Sequence, residues 1–239
     1  MLAIAFGELI QIFRNRLVLV TSFVMPAAVS AFFIYRHEVF TELGSLGYIA
    51  AVVVFTIGAL GLYTTTVTTL ASRRQNLFLK RLRSTAASDS TILTGLVVPA
   101  AVIALVQVAV ILSVFAAVAG GPATPLLVAV AVLASMVMLL GLALATAGVT
   151  NSPEHAQVTT LPVTIGVIVV ASWVGISGTG ELTYLKRMLP GGAATELLVN
   201  AWNGGVSTQL TVILLAHTLA WVVIAVELAR KRFRWEPRR

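Results

Sequence analysis

The sequence predicts an all-α membrane protein that crosses the bilayer six times. Hydrophobic residues make up 58% of the 239 positions, and charged residues only 10%. The apolar residues are gathered into six long runs, and clusters of Arg and Lys lie between some of them. A water-facing surface needs about 25% charged residues, so most of this surface must face lipid. We therefore expect residues 1–239 to form a single transmembrane domain.

Each apolar run exceeds the roughly 17 residues that a helix needs to cross the hydrocarbon core. Backbone groups in lipid must form hydrogen bonds within their own segment, so these runs are expected to be helices despite their Val and Thr content. The predicted spans cover residues 17–35, 46–71, 93–118, 126–149, 158–176 and 210–228.

The distribution of basic residues predicts the orientation. Thirteen of the 16 Lys and Arg residues fall on the side that holds both termini, whereas Arg36, Lys186 and Arg187 fall on the other. Cytoplasmic loops are enriched in Lys and Arg, so both termini are expected in the cytoplasm, with the chain in the cell (inner) membrane. This arrangement explains the net charge of +7 without nucleic acid as a partner.

An amphipathic helix is predicted over residues 2–14, before the first span. Its polar side would carry Glu8, Gln11 and Arg14. Such a helix lies in the membrane interface rather than crossing it, although an early start of the first span is the alternative. A cleaved signal peptide is disfavoured because Glu8 precedes any Arg. The apolar side would carry Phe6, Leu9, Ile10 and Phe13.

The connection between the second and third spans, residues 73–90, is strongly basic. Drawn as one helix from Arg73, it places Phe78, Leu79 and Leu82 on one side, and Leu77 falls among the basic residues of the other. The segment could simply anchor on anionic lipid headgroups. A protein partner with an acidic-rimmed groove would explain the position of Leu77 better. The candidate contact residues are Arg73, Arg74, Leu77, Phe78, Lys80, Arg81, Leu82 and Arg83.

The connection between the fifth and sixth spans, residues 178–205, is long and only half polar. Pro190 and the two glycines after it break the chain, and residues 193–202 are expected to form a short helix. Ten residues cannot cross a bilayer, so a re-entrant or interfacial hairpin on the outer side is predicted. Its Glu196 needs a partner or water at that depth.

Motifs for chemistry are scarce. The sequence contains no GxxxxGK motif followed by Ser or Thr, so the chain is not expected to bind ATP, and it contains no Cys. His37, His155 and His217 show no metal-ligand spacing, so no cofactor or metal is expected in this chain.

One alternative is a membrane enzyme. The segment Gly175-Ile176-Ser177-Gly178 is similar to the GxSG motif of rhomboid intramembrane proteases, and His217 lies in the last span. A serine nucleophile needs a base within hydrogen-bond reach, so this pairing is conceivable. The second span, however, has no His or Asn to stabilise an oxyanion.

Thr56 and Gln107 are the candidate residues for a substrate path through the spans. No two acidic residues lie three or four positions apart within a span. An ion-coupled secondary transporter therefore has no obvious carboxylate relay, and it remains only an alternative. Hydrophobic or amphipathic cargo is favoured instead.

The segment LASRRQNLFLKRLRSTAAS, residues 70–88, resembles the cytoplasmic connection of the type-2 ABC exporter permeases, a family that includes drug, antibiotic and polysaccharide exporters. Residues 188–205 are similar to that family's outer re-entrant hairpin, and residues 229–237 to its basic-aromatic ending. The positions of residues 70–88 that fit the family pattern are Arg74, Leu79, Lys80, Arg81, Leu82, Arg83 and Thr85.

This resemblance implies the membrane subunit of an ATP-driven exporter. Two permease chains would pair, as a homodimer or with a second permease, and a separate ATPase subunit carrying ATP and Mg would dock beneath each. The basic connection and the 2–14 helix would transmit motion from the ATPase to the spans. The chain itself would be a transport subunit and not an enzyme.

Overall fold

A computed structural model describes residues 2–85, 87–233 and 235. Within these residues the secondary structure is helical, with no strand, which confirms the predicted fold class. Two π-helical turns, Val20–Val24 and Gly58–Thr64, join α2 to α3 and α5 to α6. The helices are α1 Leu2–Arg14, α2 Arg16–Leu19, α3 Met25–Tyr35, α4 His37–Leu43, α5 Leu46–Ile57, α6 Thr65–Gln75, α7 Phe78–Arg83, α8 Asp89–Ala119, α9 Pro125–Ala147, α10 Pro153–Thr159, α11 Leu161–Ser177, α12 Thr183–Met188, α13 Gly192–Asn203 and α14 Thr208–Arg232.

Membrane-spanning candidates coincide with the predicted spans. A shorter apolar helix, Val20–Tyr35, matches the first. The third and fifth candidate spans begin earlier than predicted, because a serine caps the start of each helix. Ser88 accepts a hydrogen bond from the Thr91 amide at 3.2 Å, and Ser152 caps the fifth in the same way. The five long candidates are Leu46–Gln75, Asp89–Ala119, Pro125–Ala147, Pro153–Ser177 and Thr208–Arg232.

The second span is the centre of the bundle. Its apolar stretch is 89% buried inside the chain, whereas that of the last span is only 22% buried. Gly47 allows α13 to pack closely on α5, because a Cβ at that position would lie 2.6 Å from the Val199 carbonyl oxygen. The remaining spans surround α5 and expose apolar residues outward, as a helix facing lipid does.

Polar side chains join the first two spans to the third where the π-helical turns meet. The hydroxyl groups of Ser22 and Thr65 share a hydrogen bond across the two spans. The Gln107 side-chain amide donates to the Phe23 carbonyl at 3.0 Å. Interhelical hydrogen bonds of this kind hold helices together in lipid, where the hydrophobic effect does not.

The basic residues are divided between the two ends of the bundle, as the sequence predicts. One end, here called the basic end, gathers α1, the α6–α7 turn, the α9–α10 turn and the end of α14. At this end a Cβ on Gly148 would lie 2.9 Å from the Arg232 backbone, which shows how closely these segments pack. The opposite end holds the hairpin predicted between the last two spans, α12–α13. Which end faces the cytoplasm stays a prediction, and Arg234, Arg238 and Arg239 lie outside the described residues.

Candidate functional site

The α6–α7 turn divides the basic connection into two helices, so the single helix drawn from Arg73 is wrong. Leu77 adopts a left-handed conformation, with φ of 56°, between them. Arg81 holds the turn by donating to the Asn76 carbonyl at 2.9 Å. Leu79 is fully buried and fixes α7 against the bundle. This geometry leaves Leu77 47% exposed, although a left-handed leucine costs about 1–2 kcal/mol.

Arg73 ties α6 to the N-terminal helix rather than facing solvent. Its guanidinium donates to both carboxylate oxygens of Glu8, at 2.7 and 2.9 Å, and also to the Gln11 side chain. Glu8 is only 5% exposed, so its carboxylate is held inside the protein by this pair rather than in solvent. The ion pair draws Glu8 inward, whereas Gln11 and Arg14 stay exposed, and Phe6 and Phe13 face out, as they would toward lipid.

Arg74 is also buried, at 1% exposure. It donates to the carbonyls of Ala147, at 2.5 Å, and Thr150, at 3.2 Å, which are the last residue of α9 and a residue just after it. Those carbonyls have no partner within their own helix, and a cation also complements the negative end of the helix dipole. Phe233 covers the guanidinium, with its ring centre 5.4 Å away. Arg74 therefore joins α6, α9 and the chain after α14.

The other predicted contact residues differ in exposure. Leu77, Lys80 and Arg81 are all exposed, and we call them the docking surface after the partner contact that the sequence predicts, which stays a prediction. Leu82 and Phe78 are half-buried and pack on the small core around Leu79. Arg83 is half-exposed, forms an ion pair with Asp89 at 3.3 Å and lies over the Trp235 ring.

The outer hairpin has the predicted shape. Pro190 and Gly191 form the turn between α12 and α13, and α13 closely matches the predicted helix at 193–202. A Cβ on Gly192 would lie 1.7 Å from the Lys186 carbonyl, so only glycine fits there.

Trp221 donates to the Met188 carbonyl at 2.9 Å. Trp221 lies roughly 20 Å along α14 from its start, so the tip of the hairpin reaches about the middle of the last span.

Glu196 has the partner that the sequence requires. Arg187 forms a two-fold ion pair with it, at 2.6 and 2.7 Å, which holds α12 on α13 and raises the pKa of Arg187. Lys186 is 2% exposed and donates to Ser177 Oγ at 2.9 Å and to the Gly178 carbonyl at 2.6 Å. Sequence reasoning missed these two buried cations, although the spacing from Arg187 to Glu196 was an available signal.

Comparison with known protein families gives one match. A family model described as "ABC-2 type transporter" matches residues 1–176. The chain belongs to the ABC-2 type transporter family. Its members are membrane permeases that normally work with an ABC ATPase. The match covers the α6–α7 turn and ends before the hairpin. The comparison with curated proteins gives no match.

In this ABC-2 permease the rhomboid-like pairing of Ser177 with His217 is not formed. Ser177 Oγ donates to the Trp173 carbonyl at 2.8 Å and accepts from Lys186. His217 Nδ1 pairs instead with the Ile213 carbonyl at 2.7 Å, within its own helix. The described residues of the permease also contain no group of three or more His, Asp and Glu that could hold a metal ion.

The two residues suggested for a substrate path lie inside the permease. Thr56 is buried in α5, and Gln107 is buried in α8, where it donates to Phe23 as described above. Gln107 Oε1 has no hydrogen-bond partner within the described part of the chain. Their contact with substrate stays a prediction.

Proposed function

We propose that this chain is the membrane subunit of an ATP-driven exporter that moves a hydrophobic or amphipathic molecule, such as a drug, antibiotic or lipid-like compound, out of the cytoplasm. Membership of the ABC-2 family supports the transport role. ATP and Mg would be bound by a separate ATPase subunit. The two permease chains of a working transporter would be either identical or related.

The ATPase would bind at the docking surface on the basic end. Leu77 provides an exposed apolar side chain, and Lys80 and Arg81 provide cations beside it. The complementary surface on the ATPase is a small apolar groove with an acidic rim. Charges of this kind steer association and set its specificity, so binding should weaken as the salt concentration rises.

Buried contacts behind the docking surface provide a route for motion into the spans. Arg73 connects the α6–α7 turn to α1 through Glu8. Arg74 connects it to the end of α9 through Ala147 and Thr150. A displacement of the α6–α7 turn therefore acts on α1 and on the end of α9 at once. ATP drives the change if the nucleotide-bound ATPase binds one permease state better than the other.

The cargo is proposed to be apolar because the middle of each candidate span carries no charged residue. The charges nearest the middle of the last span belong to the hairpin, and its carboxylate is already paired with Arg187. A coupled ion path needs ionisable groups that can change partner within the spans.

The experiment compares two leucines that share the same backbone conformation, one on the docking surface and one as its control. Leu77 and Leu182 both precede a short helix in a left-handed conformation, with φ of 56° and 55°, and they are 47% and 61% exposed. They lie at opposite ends of the bundle. Asn tolerates this conformation, so Leu77→Asn and Leu182→Asn should affect folding in the same direction.

Each variant would be co-expressed with the ABC ATPase proposed as its partner. We expect Leu77→Asn to lose most of the co-purified ATPase and the vanadate-sensitive ATP hydrolysis, and Leu182→Asn to keep both. Equal recovery with the two variants would refute the docking surface. Failure of the wild-type permease to retain any ABC ATPase would refute the proposed function itself.

A further inference from the structure

An apolar groove lies between α3 and α8 near the opposite end, far from the docking surface. Ala27 and Ala31 line it from α3, and Val114 and Val118 line it from α8. Its volume is about 480 Å³, within the range of about 300–1,000 Å³ that ligand sites occupy. The small alanines leave the space, and the valines form one of its walls.

The groove has the length of one lipid leaflet. It extends along α3 from Ala27 to Tyr35. At 1.5 Å per residue this is about 12 Å, and half of a hydrocarbon core of about 30 Å is roughly 15 Å. An acyl chain lying along α3 would fill the groove over its length.

Polar groups stand at the outer mouth of the groove, where α3 passes into α4. Tyr35 and His37 line the mouth, and Arg36 lies between them in the sequence. His37 Nδ1 is paired with the Ile34 carbonyl at 2.8 Å, which leaves Nε2 for another contact. Arg36 is exposed, and no ion pair to it is found in residues 2–85, 87–233 and 235.

Two carboxylates follow on α4. Glu38 and Glu42 are exposed, and within the described chain neither forms an ion pair. Arg36 attracts a phosphate, and a guanidinium can bind it through two hydrogen bonds. The carboxylates would repel a headgroup of net negative charge but attract an ammonium group beyond the phosphate. Arg36, Glu38 and Glu42 do not line the groove itself, but they follow its mouth along the chain, and this mixture of charges matches a zwitterion better than an anion.

We propose that this groove binds one phospholipid with an ethanolamine-type headgroup. One acyl chain lies between α3 and α8, the phosphate contacts Arg36, and the ammonium contacts Glu38 or Glu42. The groove lies away from the docking surface, and the proposal does not rest on the proposed function, so the permease can be tested for lipid binding without an ATPase.

The test is native mass spectrometry of the full chain with an equimolar mixture of phosphatidylethanolamine, phosphatidylcholine and phosphatidylglycerol with identical acyl chains. We expect one phosphatidylethanolamine per chain, preferred over phosphatidylglycerol by roughly tenfold because charged hydrogen bonds at the mouth discriminate between headgroups. Choline cannot donate hydrogen bonds to carboxylates, so phosphatidylcholine should also bind less. Arg36→Gln should remove the preference.

A matched pair of variants tests the groove itself. Ala31→Leu fills it, whereas Ala109→Leu adds the same bulk to an exposed face of α8 that does not line the groove. Ala31→Leu should lose the retained lipid and Ala109→Leu should keep it. Equal retention of all three lipids, or unchanged retention in Ala31→Leu, would overturn the proposal. A loss of dimer in Ala31→Leu without a change in lipid would also overturn it and assign the groove to a second copy. If Ala31→Leu does not fold, the proposal is tested by Arg36→Gln alone, and an unchanged preference for phosphatidylethanolamine in that variant would overturn it.

Discussion

Glu196→Gln should destabilise the protein by about 3 kcal/mol, since breaking a buried ion pair costs about 3–5 kcal/mol. The carboxylate is only 8% exposed and accepts two hydrogen bonds from Arg187. Replacing it with an amide leaves the guanidinium charged and buried, facing a neutral group. The lower end of the range applies because Arg187 keeps 19% exposure.

The assay is equilibrium unfolding in mixed micelles, and the chain offers a matched control. Arg230 and Glu227 form an exposed pair at 3.0 Å, with side chains 73% and 51% exposed. Exposed pairs contribute about 0–1 kcal/mol, so Glu227→Gln should change the free energy of unfolding by less than 1 kcal/mol. The same amide substitution is then compared at a buried and an exposed pair.

A double variant separates the lost pair from the uncompensated charge. Arg187→Met combined with Glu196→Gln removes both charges and should recover part of the stability that Glu196→Gln loses. The reasoning would be refuted if Glu196→Gln and Glu227→Gln lowered the unfolding free energy equally, or if the double variant were the least stable of all.

Further substitutions test the fold in the same unfolding assay. Gly192→Ala should prevent correct packing of the hairpin, because its Cβ would overlap a carbonyl oxygen 1.7 Å away, whereas Gly180→Ala, with no atom within 4 Å, should be tolerated. Arg74→Lys should cost about 1–3 kcal/mol because a lysine cannot reproduce both carbonyl contacts and leaves one unsatisfied, and Arg81→Lys on the surface should have little effect. Leu77→Asn should raise the unfolding free energy by about 0.5–1 kcal/mol through relief of left-handed strain. A loss of stability in Leu77→Asn would contradict that strain.

Much of the fold could be predicted because its signals are local. Span-length apolar runs and their charged flanks are properties of short windows of sequence. The hairpin was predictable for the same reason, since Pro190 and the glycines after it break a helix wherever they occur. The need of Glu196 for a partner follows from its expected depth alone.

The details of the basic end could not be predicted because they depend on distant residues. Leucine carries no signal for a left-handed turn, and the turn at Leu77 accompanies the burial of Leu79 in the core and the Arg81 contact with Asn76. A basic cluster normally lies in water. Arg74 is buried because the carbonyls at the end of α9, more than seventy residues away, need a donor. Glu8 is likewise turned inward by Arg73.

The most direct test of the central claim is a site-specific cross-link between this permease and its ATPase. The chain has no cysteine, so a single one can be placed at will. Arg81→Cys on the docking surface should form a cross-link to the co-expressed ABC ATPase, and Tyr184→Cys, exposed at the opposite end, should not. A cross-link from Tyr184→Cys alone, with a folded Arg81→Cys variant giving none, would contradict the account.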